Sequence, residues 1–145
     1  MSELAATTPT ERAEAMIRLT GRLTQLLEQE TWLFEARKPH EAVSLQAEKT
    51  KLATLYRAET QRAARDRSRL AGLDPVMKTR LSDSTISFEA ALKRNGAAVE
   101  ALKALTEGLV KALADEAVRQ KQAGAGYGPG AVRTSIGALA YDRSA

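Results

Sequence analysis

No cysteine occurs in this sequence, which excludes disulfides and thiolate metal sites and fits a reducing compartment. Histidine is nearly absent too. His40 stands alone, so neither a histidine-based metal site nor a Ser-His-Asp triad can be assembled. Aromatic residues make up only 4% of the chain, and no stretch approaches the ~18 apolar residues of a membrane span. The opening residues Met1-Ser2-Glu3-Leu4 lack the basic and apolar regions of a secretory signal. Together these absences lead us to expect a cytoplasmic protein with no membrane insertion, catalytic site, metal or cofactor.

Proline and glycine are scarce in a different way, because they are gathered at a few places. Between them run long segments rich in Ala, Leu, Arg, Glu and Lys, all good helix formers. The length of 145 residues corresponds to one domain. The expected fold is all-α, an antiparallel three-helix bundle or coiled coil over 1–122 with a flexible tail over 123–145. Its helices are predicted at about 9–37, 40–71 and 75–122.

Each helix carries its own start and stop signals. Thr8-Pro9-Thr10-Glu11 reads as a capping box, with Thr8 as N-cap, Pro9 at the first helical position and Glu11 reaching back. Met16, Leu19, Leu23, Leu26, Glu30 and Leu33 then alternate by threes and fours. Pro39 disfavours helical geometry in the residue before it and opens the second helix. The link at Lys38-Pro39 is so short that helices 1 and 2 must be antiparallel neighbours. The second stripe is Ala42, Leu45, Leu52, Leu55 or Tyr56, Ala63 and Leu70, ending at Gly72. Asp74-Pro75 repeats the cap-then-proline start. The third seam is Leu81, Thr85, Phe88, Leu92, Asn95, Val99, Leu102, Thr106, Leu109 and Leu113. Its register does not slip at Asn95-Gly96, so one continuous or gently kinked helix is expected there. Gly124, Gly126, Gly128 and Gly130 then form a glycine-rich linker. They follow a helix, whereas a phosphate-cradling loop follows a strand and opens a helix.

Polar residues on apolar stripes carry the next inferences. Counting back from the first turn places Glu30 opposite residue 47, within reach of Lys49. A half-buried Glu30–Lys49 pair would fix register more than it would add stability, unless both side chains snorkel to water. Asn95 is a seam polar residue of the kind that selects register. Trp32 and Phe34 are expected as core or as a brace for the first turn, with a partner-contact patch as the alternative. The basic surplus lies in Arg57, Arg62, Arg65, Arg67 and Arg69. Glu59 and Asp66 lie at ion-pairing distance in sequence from several of these, and no aromatic residue follows to stack on bases. A solvated helix face is expected there, with no nucleic-acid partner.

Leu26-Leu27-Glu28-Gln29-Glu30, Leu33, a short turn, then Leu45, Lys49, Leu52 and Tyr56 resembles the FlgN family of flagellar export chaperones. Length, helical composition and a long C-terminal helix followed by a tail are similar too. The resemblance implies a cytoplasmic chaperone for flagellar hook–filament junction proteins, shielding their terminal helices and delivering them to an export-gate component. It places client binding on the C-terminal helix at Val99, Leu102, Leu105, Leu109 and Leu113, and contact with the gate at Tyr127.

Residue counting leads to the same helix. The third element is longer than either predecessor, at roughly 70 Å if continuous, and an antiparallel packing leaves it uncovered from about residue 106. Leu109, Val110, Leu113, Ala117 and Val118 nonetheless continue an apolar stripe. Such a face marks a binding site for an amphipathic helix. Two other coverings are conceivable, a returning tail or a second copy, the latter giving a homodimer. The competing function is a self-associating structural or scaffolding coiled coil.

Overall fold

A computed structural model of the chain describes residues 6–124. Every regular element among them is helical, and none is a strand. The elements are α1 (Pro9–Glu35), a 3-10 helix (Pro39–Leu45), α2 (Gln46–Arg65), a short 3-10 turn (Arg67–Leu70) and α3 (Pro75–Ala123). The chain divides into two compact units after Val99. Tyr127 and nearly all of the expected tail lie outside the described residues.

The start of α1 follows the sequence signal with one change of partner. Thr8 Oγ1 accepts from the Glu11 backbone N–H at 3.1 Å, as an N-cap must. Glu11 reaches back past the cap to the backbone N–H of Thr7, at 3.2 Å. The end of α1 has a different cause from the expected one. Arg37 adopts a left-handed conformation with φ 62°. Its N–H donates to Phe34 O and that of Lys38 to Leu33 O, which is a Schellman closure. The helix therefore stops at Glu35, before the restriction imposed by Pro39 is felt.

The expected single helix over 40–71 is corrected in two places. Pro39–Leu45 winds as a 3-10 helix, consistent with the tight entry directly after the Schellman turn. At the other end Asp66 is extended and its side chain accepts from the Ser68 backbone N–H at 3.1 Å. An aspartate bonding its own neighbouring backbone competes with the helix and ends it. Gly72, at φ 76°, then supplies the left-handed residue that turns the chain. Asp74 Oδ1 accepts from Met77 N at 2.8 Å and caps α3, which runs unbroken through Asn95-Gly96.

Within the first unit, α1, α2 and the first half of α3 share their apolar faces. One cluster joins Leu23 and Leu27 to Phe88 and Ala91, with Leu52, Ala53 and Tyr56 packed against it. The Tyr56 and Phe88 rings lie 4.8 Å apart at 52°, an inclined aromatic contact. A second cluster joins Ala13 to Leu73 and Met77, with Ile17, Leu70 and Leu81 around it. Phe88 and Asn95 of the expected seam are buried, but the seam is corrected at two positions: Leu92 and Val99 are exposed, and Ala91 and Ala98 are buried instead. Periodicity alone allows either stripe.

Candidate partner-binding face

The segment 100–123 is helical for local reasons, being rich in Ala, Leu, Lys and Glu. Thr106 returns its hydroxyl to Leu102 O at 2.9 Å, and Arg119 pairs with Glu116 one turn away. The helix closes with Gly124 N donating to Gln120 O at 2.8 Å. Along this segment Leu102, Leu105, Leu109 and Leu113 stand at i, i+3, i+7 and i+11 and share one helix face. Leu105, Leu109 and Leu113 are exposed, Leu109 at 59%. Val118 is exposed too, but nine residues from Leu109 it falls on the opposite side of the helix.

The other residues expected on this face divide. Leu102 and Val110 are half-buried, and Ala117 is buried, so Ala117 is not part of the open surface. Val99, in the first unit, is exposed. Tyr127 lies outside the described residues. The accessible apolar surface is thus narrower than the sequence reading, a leucine ridge that includes neither Ala117 nor Val118.

The polar pair in the first unit is brought together. Lys49 Nζ lies 2.7 Å from Glu30 Oε2, with the Glu30 side chain 2% exposed and that of Lys49 25%. Two more groups that the sequence reading did not place there complete the carboxylate's shell. Gln46 Nε2 donates to Oε2 at 2.5 Å and Asn95 Nδ2 to Oε1 at 2.9 Å. Asn95 also donates to Thr31 Oγ1 at 3.2 Å. Burial pushes the Glu30 carboxyl up, but the hydrogen bonds from Lys49, Gln46 and Asn95 and the charge of Lys49 outweigh it. The net result is a carboxyl below its ordinary range. The signal for Gln46 was its place one turn before Lys49 on the same face.

Two further ion-pair groups organise the first unit. Arg22 clasps Glu48 through Nε and Nη2, both at 2.7 Å, a bidentate pair. The buried carboxylate of Glu59 receives Arg62 at 2.6 Å and Arg69 at 3.2 Å. Those arginines, from the basic run noted in the sequence, are engaged in holding α2 and its following turn together.

Trp32 departs from its expected role as core or brace. It is 62% exposed, while Phe34 is half-buried. On α1 the inward stripe is Leu19, Leu23, Leu26, Leu27 and Glu30, and Trp32 falls away from it. Among the described residues no cluster of His, Cys, Asp and Glu is arranged to hold a metal. None of the helices there is long and apolar enough to cross a membrane.

The flagellar basal-body protein FlbY of Caulobacter vibrioides is 39% identical to this chain over 128 residues, covering 88% of the chain and 86% of that protein. No family model matches the chain, and no solved structure matches it.

Proposed function

The chain belongs to the family of the flagellar basal-body protein FlbY, and from that premise we propose that it is a cytoplasmic, non-catalytic flagellar export chaperone. In this reading it holds the terminal helices of hook–filament junction proteins until they reach the export gate. A three-helix antiparallel bundle carries the client-binding helix, and Tyr127 makes the gate contact.

One observation carries the reading: the exposed leucine ridge of α3, Leu105, Leu109 and Leu113. Burying a leucine side chain is worth about 1.5–3 kcal/mol, so three in a row are costly to leave in water. An amphipathic helix laid along them would anchor at the matching i, i+4 spacing. The resemblance to FlgN chaperones supports the same helix as the client site.

The test is the pair of substitutions Leu109→Ser and Leu113→Ser, with melting temperature and affinity for purified hook–filament junction proteins measured together. Loss of binding with an unchanged melting temperature supports the reading. A large fall in melting temperature would place these leucines in an internal contact and end it.

A second reading is a structural, self-associating component of the basal body, favoured by the relative FlbY being a flagellar basal-body protein. It predicts self-association through the leucine ridge and co-sedimentation with basal bodies, whereas a chaperone forms a soluble 1:1 complex with its client.

A further inference from the structure

We propose that the groove beside Trp32 is a second docking site, for a cationic segment of a partner protein that lays an arginine or lysine over the indole. An open groove of about 800 Å³ lies where α1 meets the 3-10 helix. Gln25, Glu28, Gln29 and Trp32 line it from one stripe of α1, and Glu41 and Leu45 are among those lining it from the 3-10 helix. The site lies wholly within the first unit, and none of its lining residues belongs to the leucine ridge.

Three features fix the chemistry of the occupant. The first is Trp32, an exposed indole beside the apolar Leu33 and Leu45, of the kind that anchors interfaces. The second is charge. Glu28 and Glu41 both line the groove, no basic residue does, and neither carboxylate has an ion-pair partner among the described residues. A chain of net charge +4 thus has a locally anionic site here. The third is the combination, because an indole face attracts a cation and flanking carboxylates complete its shell. An acidic or purely apolar partner would leave both carboxylates uncompensated.

Trp32 is the sole tryptophan, so its fluorescence reports this site alone. The probe is a short synthetic amphipathic peptide of alternating leucine and arginine turns, added to the full-length protein. A charge-reversed Leu/Glu peptide of the same pattern is the control. A saturable shift of Trp32 emission is expected with the Leu/Arg peptide and not with the Leu/Glu one. The E28Q/E41Q variant should bind at least about tenfold more weakly with unchanged circular dichroism and melting temperature. The Leu109→Ser/Leu113→Ser variant should bind the peptide as the unaltered protein does, which separates this site from the leucine ridge. No saturable shift, equal binding of the Leu/Glu peptide, or unweakened binding by E28Q/E41Q would overturn the proposal. So would an emission shift with protein concentration alone, which would assign the groove to a second copy.

Discussion

Asn95 on α3 donates to the carboxylate of Glu30 on α1 at 2.9 Å, opposite the oxygen that receives Lys49 and Gln46 from α2. One buried anion on α1 is therefore held from two other elements at once. A slip of any of them by a residue would strand it, so the group specifies register more strongly than it adds stability.

Removing the anion should be costly. Glu30→Ala is expected to destabilise the protein by about 3 kcal/mol, since Lys49, Gln46 and Asn95 all lose their acceptor. A double-mutant cycle with Glu30→Gln and Lys49→Met, followed by urea unfolding, should give a coupling of about 1–2 kcal/mol. Additive effects would show that the 2.7 Å contact contributes nothing.

Acid should unfold the protein partly through this group. The folded-state pKa of Glu30 is lowered, so its contribution is complete above the unfolded value of about 4.3. It is lost as pH falls through the lower folded value. Glu48, paired by hydrogen bonds with Arg22, and Asp66, bonded by Ser68, are shifted the same way. The expected outcome is a urea midpoint that falls between about pH 5 and pH 3, less steeply in Glu30→Gln than in the unaltered protein. Parallel pH profiles would show that Glu30 is not linked to folding.

The Schellman turn offers a test of backbone strain. Arg37 sits at φ 62°, where a Cβ costs roughly 1 kcal/mol. Arg37→Gly should leave the melting temperature level or raise it, offset in part by the greater freedom of glycine in the unfolded chain. Arg37→Val should lower it, because a β-branched residue is an outlier there. The reverse order in calorimetry would show that the Arg37 side chain, which donates to Phe34 O at 3.4 Å, matters more than the backbone.

Three helix-interior glycines are the opposite case. Gly21, Gly96 and Gly108 have nothing within 4 Å of an added Cβ and lie inside α1 and α3. Each Gly→Ala change should stabilise by about 0.5–1 kcal/mol, read as additive rises in urea midpoint for the combined variant. A loss at any of them would mean that the position is used for close approach by a partner.

Much of the fold was legible because its signals are local. Thr8-Pro9 and Asp74-Pro75 fix two helix starts through bonds made within one turn, and the absence of any breaker strong enough to stop α3 is a matter of propensity. Counting from the turn placed Glu30 near residue 47, and the structure sets it against Gln46 and Lys49. The break at Asp66 was missed because the aspartate's choice between helix and its own Ser68 neighbours is decided by small energies.

What the sequence determined by itself, then, was helical identity, two of the helix starts and the level of one ion pair, all of which depend on spacing along a single chain. Tertiary structure decided which of two equally periodic stripes faces inward. It buried Ala91 and Ala98 beside the shared Phe88 and Asn95 and left Leu92 and Val99 exposed, a choice that spacing along one helix cannot make because both stripes have the same period. It also decided that Trp32 is exposed, since the inward arc of α1 is filled by Leu23, Leu26, Leu27 and Glu30 and a helix has only one such arc to bury.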